Sequence, residues 1–117
     1  MQANGGMTNI TDISGKKCQD LIDQYPVMMF SKSYCPFCDQ AKNLFTAQGV
    51  AFAAVELDVV AGGEAMANEL KASTKQRTFP NTFIGKVHLG GCDDTKAALS
   101  NGKMKQMLDG CNVAHNI

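Results

Sequence analysis

Apolar positions recur along this chain with the spacing of helices in some stretches and the spacing of strands in others. Before Pro26, an apolar stripe at i, i+3, i+4 and i+7 predicts a helix that Ser14 caps. The stripe consists of Cys18, Leu21, Ile22 and Tyr25. The short continuous apolar run from Val27 to Phe30 predicts a buried strand, and helical spacing resumes over 36–48. A strand therefore leads directly into a helix.

The later apolar segments complete the order of elements. Residues 51–57 predict a second strand and residues 64–72 a short helix. Two short strands, 83–84 and 87–89, flank Gly85-Lys86, which is typical of a hairpin turn. A helix that Asp93 or Asp94 caps then runs to Ser100. The last helix has an apolar stripe at i, i+3, i+4 and i+7, formed by Met104, Met107, Leu108 and Cys111, in which Cys111 faces either the core or solvent.

This order predicts an α/β fold with a four-stranded mixed sheet flanked by helices. A strand, a helix and a second strand in succession predict a right-handed parallel crossover, whereas the later hairpin adds an antiparallel pair. A chain of 117 residues is long enough to bury one core. We assign residues 14–117 to this single domain and the polar residues 1–13 to a flexible N-terminal lead.

The composition excludes several functional classes without selecting one. Apolar residues make up 44% of the chain and charged residues 19%, as in ordinary globular proteins. Eleven basic residues balance eleven acidic ones, which gives no reason to expect a nucleic acid or an anionic membrane as partner. No apolar run approaches the roughly 18 residues of a membrane-spanning helix, and no secretory signal pattern is visible. We expect a monomeric protein in the cytoplasm.

Cys35 and Cys38 are the most informative residues for chemistry, because a Cys-x-x-Cys pair in such a chain is typical of redox or metal sites. They stand at the predicted strand-to-helix turn, with Cys35 near the N-cap and Pro36 at the first helical position. The i, i+3 spacing brings both sulfurs to one side of the helix start. Unpaired N–H groups there, together with Lys32, should lower the pKa of Cys35 from about 8.5 into the range of roughly 3.5–7.5.

Three separated stretches together resemble the glutaredoxins. Residues 32–38 (KSYCPFC) are similar to the dithiol active site of that family, with Phe37 where Tyr is usual. Residues 78–80 (TFP) resemble the loop whose proline is cis and faces the active-site disulfide, with Phe79 where Val is common. Residues 90–94 (GGCDD) resemble the glutathione-binding Gly-Gly segment and the helix start after it. The absence of tryptophan separates the chain from thioredoxins, which have Trp-Cys-Gly-Pro-Cys.

The resemblance implies a thioredoxin-like fold and glutathione-dependent reduction of protein disulfides and protein–glutathione mixed disulfides. It makes Cys35 the nucleophile and Cys38 the resolving thiol, with Pro36, Phe37 and Pro80 supporting the active site. Glutathione is the co-substrate, and its carboxylates, its ammonium group and its backbone need partners in a groove beside the disulfide. The residues that the resemblance places there are Lys32, Gln76, Arg77, Phe79, Cys92, Asp93 and Asp94.

Two metal-based alternatives stay open beside this hypothesis, although we expect no metal. Cys35 and Cys38 can supply half of a structural zinc site, which needs four ligands, and Cys92 and His88 can supply the others. Some glutaredoxins of similar sequence bridge a [2Fe–2S] cluster between two subunits through thiolates and glutathione. A cluster-binding or cluster-carrying protein is therefore the alternative function, although Pro36 is associated in the family with poor cluster assembly.

Overall fold

The computed structural model describes residues 5–117. Within this range strands and helices alternate before a hairpin and two final helices. In chain order they are β1 (Met7–Ile10), α1 (Cys18–Gln24), β2 (Val27–Ser31), α2 (Pro36–Ala47), β3 (Phe52–Glu56), α3 (Gly63–Thr74), β4 (Asn81–Ile84), β5 (Val87–Gly90), α4 (Cys92–Asn101) and α5 (Lys103–Gly110). Among these residues, none of the helices has the length and hydropathy needed to cross a membrane.

The strands form one mixed sheet in the order β1-β3-β2-β4-β5. β3 pairs in parallel with both β1 and β2, whereas β4 pairs antiparallel with β2 and β5. The predicted parallel crossover and antiparallel hairpin are therefore confirmed. The predicted number of four strands is wrong by one, because β1 adds an edge strand that the apolar pattern did not indicate.

The flexible lead that we expected over residues 1–13 is wrong for β1 and for Ile13. Met7 to Ile10 pair with Phe52 to Val55 of β3, and Ile10 and Ile13 belong to the core at 8% and 5% exposure. The segment contains only two apolar residues in four, so its strand depends on hydrogen bonds to β3 rather than on a periodicity of its own. Residues 1–4 lie outside the described residues.

Two helix starts differ from the prediction because distant or later side chains cap them. Ser14 bonds Asp12, and α1 starts four residues later, at Cys18. There the carboxylate of Glu69 accepts the Cys18 N–H at 2.7 Å. In α4 the N-cap is Gly91 rather than an aspartate, and Asp94 in the first turn accepts the Gly91 N–H at 3.0 Å.

Two apolar layers enclose the sheet and fix its position between the helices. One layer joins α1 and α3 to a sheet face through Leu21, Leu70 and Phe30, each at most 1% exposed. The other joins α2, α4 and α5 to the opposite face, with Phe45 and Leu108 fully buried. Burying side chains of this size contributes about 1.5–3 kcal/mol each. The central strand β2 is therefore a rigid support for the turn that follows it.

Candidate active site

The turn between β2 and α2 carries a disulfide between Cys35 and Cys38, with a Cα–Cα distance of 5.2 Å. Cys35 is the N-cap of α2 and Pro36 is its first residue, as the sequence predicts. The Cys38 N–H donates to the Cys35 sulfur at 3.1 Å, so a helix-start donor points at that sulfur. Cys35 is partly exposed, whereas Cys38 is fully buried. A molecule in solution can therefore reach only the sulfur of Cys35.

The segment before the disulfide is held by Asp58, which lies beyond the end of β3 and which sequence reasoning missed. Its carboxylate accepts hydrogen bonds from the N–H of Ser33, at 2.9 Å, and from the hydroxyl of Ser33. The Ser33 hydroxyl bond holds the pKa of the Asp58 carboxyl below its usual value, and the charge of Lys32 contributes to the same shift. Asp58 therefore stays ionised and fixes the turn that leads to Cys35.

The loop before β4 places a backbone carbonyl against the reactive sulfur. The Phe79–Pro80 peptide bond is cis, as the resemblance implies, and the Phe79 carbonyl oxygen lies 3.5 Å from the Cys35 sulfur. Gln76 braces this loop, since its Nε2 donates to the carbonyls of Thr78 and Pro80, at 3.0 Å each. Both amide hydrogens of Gln76 are thus used, and the predicted contact to a glutathione carboxylate would require their exchange.

A cleft of about 340 Å³ lies between this loop, the start of α2 and the start of α4. It is lined by Phe37, Gln76, Thr78, Phe79, Gly91, Cys92, Asp93 and Asp94. Six of these residues were predicted to support the site or contact glutathione. Thr78 and Gly91 belong to the stretches that resemble the glutaredoxins but were not predicted as site residues. At the start of α4, the first N–H groups have no partner within the helix, which suits an anionic ligand.

The two aspartates at this helix start differ in their availability. Asp94 is engaged as the cap of Gly91, whereas the carboxylate of the exposed Asp93 forms no hydrogen bond or salt bridge within residues 5–117. Cys92 is buried beneath them, at 6% exposure, and its sulfur lies 3.8 Å from the side-chain oxygen of Gln40. Of the two predicted ammonium partners, Asp93 is the one with a free carboxylate.

Lys32 and Arg77 are predicted glutathione contacts that lie outside the lining of this cleft. The Lys32 ammonium stands 5.1 Å from the centroid of the Phe79 ring, in cation–π contact with it. Arg77 is exposed in a neighbouring depression with Lys71 and Lys75. Both cations therefore flank the active-site loop from the side of α3, and the sequence alone did not show on which side of Phe79 they lie.

The zinc ligands considered from the sequence do not assemble. Within residues 5–117, no group of three or more His, Cys, Asp or Glu side chains is placed to hold a metal ion. His88 instead makes a hydrogen bond of 2.8 Å to Asn81, and partial burial lowers its pKa although the charge of Asp94 opposes that shift. The structure gives no support to a site made from Cys35, Cys38, Cys92 and His88.

Cys18 is expected to resist alkylation, unlike Cys35. Burial of Cys18, with the nearby carboxylate of Glu69, raises the pKa of its thiol to about 12. Since only the thiolate reacts, iodoacetamide at pH 8 should label Cys18 in the reduced folded protein more than about a hundredfold slower than Cys35. Peptide mapping by mass spectrometry measures both rates. Labelling in denaturant is the control for access, and rapid labelling of Cys18 in the folded protein would contradict its assignment to the core.

Comparison with known proteins gives the same family from sequence and from structure. The Glutaredoxin family model matches residues 27–89, more than half of the chain. Glutaredoxin-C6 of Oryza sativa subsp. japonica is 45% identical over 92 residues, covering 79% of this chain and 82% of that protein. The crystal structure of the buckwheat glutaredoxin–glutathione complex is 40% identical, with a TM-score of 0.79 over 82% of this chain and 87% of that chain. The crystal structure of oxidised glutaredoxin 2 from Chlamydomonas reinhardtii shows 37% sequence identity and a TM-score of 0.73, covering 80% of this chain and 89% of that chain. With its thioredoxin-like fold and its Cys35–Cys38 disulfide, this chain belongs to the glutaredoxin family.

Proposed function

We propose that this protein catalyses the glutathione-dependent reduction of protein–glutathione mixed disulfides and of protein disulfides. The observation that carries the proposal is the unequal exposure of the two sulfurs at the start of α2. Cys35 is accessible beside a cleft, and Cys38 is buried behind it. Such a pair can take a disulfide from solution at one sulfur and resolve the adduct with the other.

The cleft offers partners for each charged group of glutathione. The free N–H groups of Cys92 and Asp93 at the start of α4 suit one carboxylate, and the free carboxylate of Asp93 suits the ammonium. The backbone of Phe79 borders both the cleft and the Cys35 sulfur, so the peptide can pair with it as an added strand. Lys32 and Arg77 attract the second carboxylate from beside the cleft. The buckwheat relative, which was solved as a glutathione complex, supports glutathione as the ligand.

The reaction follows from thiol–disulfide exchange with one bond made for each bond broken. The Cys35 thiolate attacks the glutathione sulfur of a mixed disulfide, and the target protein leaves as a thiolate that takes a proton from water. A second glutathione thiolate then attacks the glutathione sulfur of the Cys35 adduct, which releases oxidised glutathione and restores the Cys35 thiolate. With a protein disulfide, the Cys35 thiolate attacks one target sulfur and releases the other as a thiolate. The Cys38 thiolate then attacks the Cys35 sulfur of this mixed disulfide and expels the second target thiolate, and two glutathione molecules reduce the resulting Cys35–Cys38 disulfide and leave as oxidised glutathione.

The helix start stabilises the thiolate of Cys35 in both roles of the cycle. The Cys38 N–H already points at this sulfur at 3.1 Å, and a hydrogen bond to a charged sulfur is stronger than one to a neutral sulfur. A stabilised thiolate is present at neutral pH as the nucleophile, and it is also a good leaving group in the second step. One structural feature therefore serves both the attack and the release.

The test of this proposal is glutathione-coupled reduction of a small glutathione mixed disulfide by the native protein. Formation of oxidised glutathione is followed through an NADPH-dependent glutathione reductase. We expect turnover that rises with glutathione concentration and saturates with the mixed disulfide. No turnover above the uncatalysed exchange, in protein shown to be reduced and folded, would overturn the proposed function.

We further propose that the protein works as a monomer in the cytoplasm. Each group assigned above to the disulfide and to the glutathione cleft comes from one chain, which supports the monomer. The cytoplasmic glutathione pool is reducing enough to drive the cycle, which supports the location. Light scattering of the reduced protein tests the oligomeric state, and a mass of twice that of the chain would contradict it.

A further inference from the structure

Basic side chains gather on one face of the protein, along the end of α3 and the loop after it. A depression of about 530 Å³ is lined by Lys71, Ala72, Lys75 and Arg77, and so contains three cations and no anion. A second depression, of about 480 Å³, contains both Lys32 and Lys71. Because Lys71 belongs to both, the four cations Lys32, Lys71, Lys75 and Arg77 form one continuous basic surface.

The excess of positive charge on this basic surface lies at Lys71, Lys75 and Arg77, whose depression contains no carboxylate. None of its four cations forms a salt bridge with a carboxylate in the part of the chain that the structure describes. Two carboxylates, Asp58 and Glu64, border the second depression, and the charge of Lys32 helps to lower the pKa of Asp58, so Lys32 is partly compensated. The whole chain has no net charge, so this excess is local. A local positive potential of this kind attracts anionic groups and raises their rate of encounter.

The basic surface reaches the active-site loop through Lys32. Lys32 lies over the Phe79 ring, and the carbonyl of Phe79 lies 3.5 Å from the Cys35 sulfur. Neither Lys32 nor Lys71 is among the residues that line the cleft. When the glutathione half of a mixed disulfide occupies the cleft and its carboxylate engages Lys32 and Arg77, Lys71 and Lys75 are the cations of the basic surface that remain for the protein half.

We propose that this basic surface binds acidic residues that flank the glutathionylated cysteine of a protein substrate. This inference rests on the proposed function and adds the class of substrate to it. The exposed aromatic side chains of Tyr34 and Phe37, at 74% and 58% exposure, stand beside Cys35 and supply apolar contact to the same polypeptide. Lys71 and Lys75, which the bound glutathione leaves unoccupied, then select among target proteins by charge, which acts mainly on the rate of association.

The test compares two synthetic peptides that each carry one glutathionylated cysteine, flanked in one peptide by glutamates and in the other by lysines. For the native protein we expect kcat/KM to be about tenfold higher for the glutamate peptide at low ionic strength. The ratio of the two kcat/KM values should fall towards one as salt screens the charges. In Lys71→Gln/Lys75→Gln the preference for the glutamate peptide should fall to about twofold. Turnover of a mixed disulfide between glutathione and a small uncharged thiol should stay unchanged.

A charge-matched control removes two lysines at the far end of the molecule. Lys86 lies in the β4–β5 turn, opposite the end of β4 that follows Pro80. Lys103 follows the ten residues of α4, about 15 Å from the helix start at the cleft. Lys86→Gln/Lys103→Gln should keep the full preference for the glutamate peptide. This control separates the basic surface from the general effect of net charge.

The outcomes distinguish this inference from the proposed function. Normal turnover of the small mixed disulfide with equal kcat/KM for both peptides would overturn the basic surface as a docking site and leave the proposed function intact. An equal loss of preference in both double variants would also overturn it, because only net charge would then matter. Absence of turnover with the small mixed disulfide would overturn the proposed function, and the inference would fall with it.

Discussion

Cys35→Ser should lower kcat/KM for glutathione-dependent turnover by at least about a thousandfold. The hydroxyl of serine is not ionised at neutral pH and forms no disulfide, so neither half of the cycle can proceed. No other free cysteine can take over, because Cys18 and Cys92 are buried and Cys111 lies on the α5 side of the fold. The coupled assay with a small glutathione mixed disulfide measures the loss.

Cys38→Ser is the matched control, since it makes the same chemical change three residues away. Cys38 is fully buried, and its thiol is needed only to resolve adducts with protein disulfides. We expect turnover of the small mixed disulfide within about threefold of the native value. Reduction of a protein disulfide should fall about a hundredfold, because an intramolecular thiolate is replaced by one from solution. Loss of both activities in Cys38→Ser would contradict the division of roles.

Gly90→Ala should lower both the stability of the fold and the affinity of the glutathione cleft. Gly90 has a φ of +115°, which side chains of L-residues rarely adopt. A Cβ atom there would also meet the carboxylate of Asp94, with 2.8 Å to its Cγ. That carboxylate cannot move freely, since it caps the Gly91 N–H at the start of α4. Strain and loss of the cap together should cost about 2–4 kcal/mol of unfolding free energy.

The consequence for function follows from the position of Gly90 next to the cleft. Gly91, Cys92, Asp93 and Asp94 all line it, so a displaced helix start should raise the KM for glutathione by about fivefold or more. Thermal unfolding and the coupled assay measure the two effects separately. Gly110→Ala is the matched control, because Gly110 has no positive φ and a Cβ there would meet nothing within 4 Å.

A double variant separates the effect of backbone strain at Gly90 from the effect of the clash with Asp94. Gly90→Ala/Asp94→Ala removes the carboxylate that the new Cβ would contact, so only backbone strain and the missing cap remain. If the clash contributes, the double variant should be more stable than the sum of the two single changes predicts. A Gly90→Ala protein as stable as Gly110→Ala would contradict the whole account of this position.

Much of the fold could be predicted from sequence because the main elements have a strong local pattern. The strand over residues 27–30 and the helix after Pro36 were placed correctly. A short continuous apolar run is typical of a buried strand, and apolar residues at helical spacing are typical of a helix. β1 could not be predicted, because its strand depends on pairing with β3 more than forty residues later. The start of α1 likewise depends on Glu69, which comes from α3.

The candidate site shows the same division between local and distant causes. The Cys-x-x-Cys spacing and the proline between the cysteines indicated a redox pair at a helix start, because all the residues that form this feature are near neighbours in the sequence. The bracing of the turn by Asp58 and of the loop by Gln76 had no sequence signal, since their partners are chosen by packing. The location of Lys32 beside Phe79, rather than in the cleft, is also a result of packing.

The sequence by itself determined the chemistry of this protein, and the tertiary structure decided where that chemistry is accessible. The local sequence alone places two thiols at positions i and i+3 of a helix start, and this placement does not depend on the rest of the fold. Which sulfur is exposed depends on the layers that bury Cys38. The cleft and the basic surface exist only because segments distant in the chain, residues 32–38, 71–80 and 90–94, fold together around one disulfide. Long-range packing makes such contacts, and no local pattern in the sequence records them.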